Sequence, residues 1–569
     1  MKEKSSQKGA ASVQFVRRVG GALLGLSVLA LAGCGGSDSG SGSDLSRASL
    51  PADQAYTDNV AYSPNAGDSL PVSKVNERAA VMNHQWSHGG VTLRYRTTTG
   101  HLTAADLNGD PEATMSYVAY TASNADGSPR PLTFFYNGGP GSSSIWLRLG
   151  SFAPTRVATP DPLMTGWPNF PIVDNAESLI ATTDMVFIDP PGTGLSEAIH
   201  PNTNKTFWGA DPDVRVMRDF IRRYVKVNNR ANSELYLYGE SYGTPRTDML
   251  ALSLESAGVH LTGIVLQSSL LNYMASNAET AVGSFPSYAA VAGYYNLVSP
   301  SPTDLGAYSQ QIRNFVTEQY SPFITYATAT PQVLLSGTTL ANWSAQTNLT
   351  SSALTAYFQY FYDPEASPGQ TALLPGYTIG RYDGRVSLAN SDSRLVSDDD
   401  PSDILITQPF TNALAQQMPS YLGYQAPNAT YQTLNNNIIG VWNFSHAGQP
   451  MPDTIPDLLG ALTLNPKLKV LSTNGYHDLA TPYFSTEKEL ARLQTVKGLN
   501  PNLQLTFYQG GHMIYLDNVA RPQMQADLVS FYQNQPISTA LTLSQLAAPW
   551  PDQSPANTPT VAAAVADAR

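Results

Sequence analysis

Residues Gly239-Glu240-Ser241-Tyr242-Gly243 read Gly-x-Ser-x-Gly. A serine hydroxyl attacks a carbonyl only when a base removes its proton, so a nucleophilic serine needs a histidine, and that histidine needs an acid to orient it. The flanking glycines suit a sharp strand-to-helix turn, where side chains would clash around a strained serine. After Ser241 the histidines are His260, His446, His477 and His512. His512 is the candidate base, because an apolar run at 503–508 ends just before it and Gly510-Gly511 offers it at a loop tip. Asp478 follows an apolar run at 469–472 and gives the chain order serine, acid, histidine. His477 would precede the acid and reverse that order. Asp453 and Asp457 are the fallback acids. Attack on a carbonyl builds an oxyanion, which two aimed backbone N–H groups must hold in a dry site. Tyr242 offers one, directly after the nucleophile. The segment Asn137-Gly138-Gly139-Pro140-Gly141 offers the other, with Gly139 as the expected donor. The chemistry implied is acyl transfer through a covalent serine intermediate.

These residues need elements that hold them on adjacent loops. Short apolar runs at 132–136, 185–188, 235–238, 264–267, 469–472 and 504–508 read as strands. Helical stretches alternate with them. Val214, Met217, Ile221 and Tyr224 share one helix face, Thr486 with Glu489 reads as a capping box, and Met524, Leu528 and Phe531 mark a last helix. Before them, 91–95 and 114–120 have strand character, with a turn at Gly109-Asp110. The pattern predicts an α/β-hydrolase fold: a mostly parallel central sheet flanked by helices. The first part of the core is expected at 76–271 and the second at 456–545. Residues 272–455, rich in Tyr, Asn, Thr and Ser and with weak helical patterns as at 308–320, read as an inserted cap. Residues 546–569, rich in Pro and Ala, read as a disordered tail. Asp398-Asp399-Asp400 lacks the spacing of a calcium loop and reads as a solvated turn.

The 569 residues carry a net charge of −12, which disfavours nucleic acid as a partner. The one cysteine, Cys34, rules out an intramolecular disulfide and a cysteine-liganded zinc. No metal or cofactor is expected. Five cations and one acid precede Cys34, an apolar run fills 19–32, and Leu31-Ala32-Gly33-Cys34 leads into a Gly/Ser stretch. The apolar run is short for a membrane span. This arrangement resembles a bacterial lipoprotein signal. The resemblance implies removal of 1–33, lipid on Cys34, a flexible tether over 34–75, and an exported protein anchored in the cell envelope. Gly35 after the cysteine implies the outer membrane where the host has one.

The motifs together resemble the serine carboxypeptidase family. The matching segments are Asn137 to Ser143, Asp189-Pro190-Pro191-Gly192-Thr193-Gly194-Leu195-Ser196, Gly239 to Gly243, Asp478 with Thr481-Pro482-Tyr483, and Gly511-His512-Met513. The resemblance implies an acid-active enzyme that takes C-terminal residues from peptides. It also implies that Asn137, Gly138 and Glu240 bind the substrate's terminal carboxylate and that Met513 lines the leaving-group pocket. Two positions depart from the family pattern. Ser142 replaces a cysteine, and Arg148 stands where the family has a second carboxylate-binding glutamate. Arg148 could bind a carboxylate directly, but it is expected at the surface. Its presence leaves open an esterase or acyltransferase using the same serine chemistry, which fold alone does not separate from a peptidase. A non-catalytic surface-binding lipoprotein is the third reading, but a binder has no need of nucleophile, base, acid and oxyanion loop together.

Overall fold

Eleven strands form the central sheet: β1 Ala79–His88, β2 Val91–Ala105, β3 Pro111–Ala122, β4 Leu132–Tyr136, β5 Asp184–Ile188, β6 Glu197–Ala198, β7 Leu235–Glu240, β8 Gly263–Gln267, β9 Lys469–Gly475, β10 Asn502–Tyr508 and β11 Leu541–Thr542. The computed structural model describes residues 52–124, 126–160, 170–329, 335–362, 373–396 and 400–549. The signal at 1–33, Cys34, Asp398 and Asp399 lie outside the described residues. The sheet runs β11-β10-β9-β8-β7-β4-β5-β3-β2-β1, with β6 beside β3. From β5 to β10 neighbouring strands are parallel. The β1–β3 meander, β5 beside β3, and β11 are antiparallel additions.

Strand side chains alternate between two buried faces. Leu132, Phe134 and Tyr136 of β4, with Leu235 and Leu237 of β7, point into one core. Phe135, Tyr236 and Tyr238 point into the other. The first core is closed by helices Ala210–Val227, Gly243–Ser256 and Ile455–Leu464. The expected face Val214, Met217, Ile221 and Tyr224 lies within it. The second core is closed by Ile145–Gly150, Pro401–Ser420 and Ala520–Tyr532, the last carrying Met524, Leu528 and Phe531. The chain leaves β4 for β5 on one side and later returns to β7 on the other. Such a reversal opens a crevice beyond the carboxyl ends of the strands, and Asn137 to Gly141 and Ser241 sit at those ends of β4 and β7.

Four sequence expectations need correction. The segment expected as tether is already bonded to the sheet from residue 53: Asp53 accepts from the Asn83 amide at 2.8 Å, Tyr56–Thr57 pairs with Tyr424–Gln425, and buried Asp58 accepts hydrogen bonds from Tyr62 and Tyr424 at 2.9 Å. The polar composition concealed these long-range partners. The expected cap is not one body. Helices within 277–362 share a core with Tyr483 and Phe484 of the hydrolase core, whereas Leu405, Ile406 and Phe410 of Pro401–Ser420 pack on the sheet side with Trp146. Thr486 and Glu489 do not open a helix. They lie inside Tyr483–Leu490, which starts after Pro482, and they bond the chain beyond β8 at Ser269 and Leu271. The same signature at Ser276 and Glu279 does open a helix, Asn277–Tyr294. The start of the expected tail is also held: Leu546 is buried, and the Ala547 amide donates to Glu487 at 3.1 Å. Asp400 caps the helix Pro401–Ser420 by accepting from the Ser402 amide. Among the described residues, no helix is long and apolar enough to cross a membrane.

Candidate active site

Ser241 stands on the turn between β7 and the helix Gly243–Ser256, half-buried, with φ of 61°. A non-glycine residue at positive φ costs free energy that the surroundings must offset. Here the Ser241 amide donates to the Gln267 carbonyl at 3.0 Å, and its carbonyl accepts from the Thr244 amide and hydroxyl at 2.8 and 2.7 Å. The turn is closed at Gly239 and tight at Gly243. A methyl at Gly239 would strike the backbone of Gly243, and one at Gly243 would lie 3.0 Å from the Tyr136 carbonyl.

Asp478 and His512 come together at the ends of β9 and β10. His512 Nδ1 lies 2.9 Å from Asp478 Oδ2, and both side chains are buried. Asp478 Oδ1 accepts from the Ala480 and Thr481 amides at 2.8 and 2.9 Å, and Oδ2 accepts from the Thr481 hydroxyl at 2.6 Å. The carboxylate is thereby fixed with its charge facing the imidazole. Burial alone would lower the His512 pKa, but the Asp478 charge and hydrogen bond outweigh it and raise the value above the ordinary one. Nε2 is buried and has no hydrogen-bond partner. The His512 carbonyl accepts from Ser268 Oγ at 2.7 Å and from Gln267 Nε2 at 3.2 Å, so the end of β8 ties the histidine loop to the serine turn. The fallback acids are engaged elsewhere, Asp457 with His446 at 3.0 Å and Asp453 with Arg492 at 2.7 Å. Burial, with Arg385 nearby, pushes His477 down to about 4.

The glycine loop after β4 meets the serine turn directly. A methyl on Gly138 would collide with the Tyr242 backbone nitrogen and lie 2.8 Å from the Glu240 carbonyl. Gly139 has φ of 104°, a conformation that suits glycine. The Asp189 carboxylate braces the loop by accepting from the Ser144 amide and hydroxyl at 2.9 and 2.8 Å. Tyr242 precedes the first residue of its helix, where the backbone dipoles present positive charge. Its buried ring meets Trp442 edge-on at 5.4 Å.

Glu240 is buried directly before the serine. Its Oε1 accepts from Asn137 Nδ2 and its Oε2 from Gln267 Nε2, both at 3.0 Å. Burial pushes its carboxyl up to about 7, against the opposing effects of His512, the Tyr515 hydroxyl and the Asn137 amide. Asn137 is itself fixed, since its Oδ1 accepts from the Leu147 amide at 3.0 Å and its carbonyl from Arg246 at 2.7 Å. Met513 follows the histidine, half-buried against the second core. Arg148 is buried rather than exposed, and its Nη1 donates to Gln417 Oε1 at 2.6 Å. Gln417 lies on the helix Pro401–Ser420 and takes the guanidinium out of solvent. Among the described residues, no group of three or more His, Cys, Asp or Glu side chains is arranged to hold a metal ion.

Residues 89–512 match the family model of the serine carboxypeptidases. The chain belongs to the serine carboxypeptidase family. It is 25% identical over 182 residues to the pheromone-processing carboxypeptidase KEX1 of Zygosaccharomyces rouxii, a match spanning 31% of this chain and 25% of that protein. The chain thus spans about a quarter of the length of that curated relative. Among solved structures it is similar to the prohormone-processing carboxypeptidase Kex1(delta)p of Saccharomyces cerevisiae, with a TM-score of 0.47, 17% identity, and coverage of 77% of this chain and 91% of that one. The juvenile hormone epoxide hydrolase of Bombyx mori matches at a TM-score of 0.33 and 11% identity, over 77% of this chain and 78% of that one.

In this family member hydrogen bonds link Asn137 to Glu240, Glu240 through Gln267 to the His512 loop, and His512 to Asp478. Three residues that hold them have no role in the sequence analysis above. Thr481 bridges Asp478 and His512, at 2.6 and 2.9 Å; its spacing three residues after the acid is a local turn signal. Gln267 joins Glu240 to the histidine loop. Arg246, buried and paired with Asp213 at 2.5 Å, anchors the Asn137 carbonyl, and nothing local in the sequence announces that role. Removing either member of such a buried pair costs about 3–5 kcal/mol.

Proposed function

We propose that this protein is a serine-type carboxypeptidase that removes C-terminal residues from peptides through an acyl-enzyme on Ser241. His512 takes the serine proton at Nε2 and returns it to the departing amine. Asp478 holds the imidazole in the required tautomer and stabilises its charged form. The backbone N–H groups of Gly139 and Tyr242 receive the oxyanion. Water then attacks the acyl-enzyme with the same histidine as base. The observation that carries the exopeptidase reading is Glu240: a buried carboxyl, hydrogen-bonded by Asn137 and Gln267 and pushed up to about 7, directly before the serine. In its protonated form it donates a hydrogen bond to a substrate carboxylate; ionised, it repels one. Asn137 and Gly138 complete that recognition, and Met513 lines the leaving-group side.

The test is a pair of pH profiles of kcat/KM, on a blocked peptide acid and on the matching blocked ester. His512 must be neutral, so both profiles fall at low pH as it protonates. Glu240 ionises as pH rises through about 7, so only the peptide acid loses rate on that side. Glu240→Gln should remove this alkaline loss from the peptide profile and lower kcat/KM at acid pH by roughly 10-fold, the worth of about one hydrogen bond to a charged group. Coincident wild-type profiles would instead support the esterase reading. Mass spectrometry of a digested peptide library provides a second check, in which internal cuts would contradict the proposal.

We propose further that Cys34 carries lipid and holds the mature chain at an outward-facing membrane of the cell envelope, with the sequence before it removed. The support is Leu31-Ala32-Gly33-Cys34 with the cationic and apolar segments ahead of it. Several acyl chains anchor stably where a single chain binds only marginally. Cys34→Ser should move the protein from the membrane pellet to the soluble fraction. Recovery of the variant in the pellet at the wild-type level would contradict the assignment.

A further inference from the structure

The insertion sends one short segment, residues 380–386, between the acid loop and the base loop. Its backbone bonds both. The Leu479 amide donates to the Arg381 carbonyl at 3.1 Å and the Gly384 amide to the His477 carbonyl at 2.9 Å, so the segment grips the chain on either side of Asp478. The His512 amide donates to the Tyr382 carbonyl at 2.6 Å. The Tyr382 ring lies 5.1 Å from the imidazole, inclined at 53°. Gly511 has no space for a side chain, because a methyl there would lie 2.7 Å from Asp383 Cβ and 2.8 Å from its Cα.

Ion pairs and a helix hold the segment in turn. Arg385, buried, donates to Asp383 at 2.7 and 3.0 Å within the segment and to Asp517 Oδ2 at 2.7 Å on the base loop. Asp517 ends the short helical turn Ile514–Leu516 that follows His512, and accepts the Val519 and Ala520 amides at 2.8 and 2.7 Å. On the far side the Tyr382 amide donates to Ser402 Oγ at 3.0 Å, and Arg381 N reaches the Asp400 carboxylate, both at the start of the helix Pro401–Ser420. The segment therefore has one face on the catalytic loops and another on a helix of the insertion.

We propose that this strap positions His512 for proton transfer, with Arg385 and Tyr382 as its positioning residues, so that the insertion acts on turnover through the base. The proposal rests on His512 being the base for Ser241. An imidazole fixed at Nδ1 by Asp478 still pivots about that bond unless its backbone and ring face are also held. The strap supplies the backbone acceptor and covers the ring. A misplacement of the order of 1 Å in a reacting group costs up to about 100-fold in rate.

The experiment uses the full-length protein and measures kcat and KM on a blocked peptide, with the second-order rate of labelling by an organophosphonate. Arg385→Ala and Tyr382→Ala should each lower kcat and the labelling rate by roughly 10- to 100-fold, with KM changed by less than about 3-fold. Arg385→Lys and Tyr382→Phe should recover most of the loss, because the first retains a cation beside Asp517 and the second retains the ring. Thermal unfolding of each variant identifies any that fails to fold, and the other site then decides. Wild-type kcat and labelling in both folded alanine variants would overturn the proposal, as would a rise in KM with kcat unchanged. Failure of the underlying reading looks different: the phosphonate would then leave wild-type Ser241 unlabelled, or would label Ser241→Ala equally well.

Discussion

Ser241→Ala should abolish phosphonate labelling and lower kcat on a blocked peptide by roughly 10⁴- to 10⁶-fold, the range expected when one member of a nucleophile–base–acid set is lost. The expectation rests on three features. Ser241 is held at φ of 61° on a turn that is closed to a side chain at Gly239 and tight at Gly243, which presents the hydroxyl at the carboxyl end of β7. His512 has Nδ1 engaged by Asp478 at 2.9 Å, which leaves Nε2 as the nitrogen that would take the serine proton. Asp478 is bound by two amides and a hydroxyl, so its charge does not turn away. His512→Ala should match the serine variant, and the double variant should be little worse than either, because the residues act as a unit. Full additivity of the two losses would mean that the histidine acts elsewhere in the reaction. Substantial turnover by Ser241→Ala would remove the nucleophile assignment altogether.

What the sequence discloses about this molecule is what short stretches of chain decide for themselves. The strands at 132–136, 235–238 and 264–267 are apolar on both faces because both faces are buried, and they were found within two residues of their observed ends. The serine turn, the glycine loop and the histidine loop each follow a strand directly, so residue type and position suffice. The residues that escaped depend on partners far along the chain. Arg148 was expected in solvent because charge usually is; its acceptor Gln417 is 269 residues away. Asp58, Tyr62 and His101 join Tyr424 in a buried polar cluster, and nothing around residue 58 announces this. The strap is hidden for the same reason. Its hydrogen bonds to His477, Leu479 and His512 are made by backbone groups, which every residue possesses. Thr486 with Glu489 illustrates the opposite error: a local signature matched, but tertiary contacts to Ser269 and Leu271 had already claimed both side chains.

Gly138→Ala should lower kcat by on the order of 10²- to 10³-fold on peptide and ester alike, the usual loss when an oxyanion donor is displaced. The cause is steric and local. The new methyl would overlap the Tyr242 backbone nitrogen and approach the Glu240 carbonyl and Gly243 nitrogen to 2.8 and 2.9 Å. All of these atoms belong to backbone at the serine turn, so no flexible side chain can yield. Either the glycine loop retreats from Tyr242 or the serine turn distorts, and both outcomes part the two N–H groups that must converge on one oxygen. Asn137 limits the retreat, since Leu147, Glu240 and Arg246 bond its side chain and carbonyl. The two substrates separate this mechanism from carboxylate recognition. An oxyanion forms during acylation by either, so the ester should lose rate as well, with the peptide acid losing at least as much because Gly138 also serves its carboxylate, whereas a defect confined to carboxylate recognition would spare the ester, which presents no carboxylate. Labelling by the phosphonate, whose adduct also places an oxygen toward these donors, should slow in proportion. An alanine variant that labels and turns over at the wild-type rate would show that the loop does not hold the oxyanion, and the donor paired with Tyr242 would have to be sought on another element.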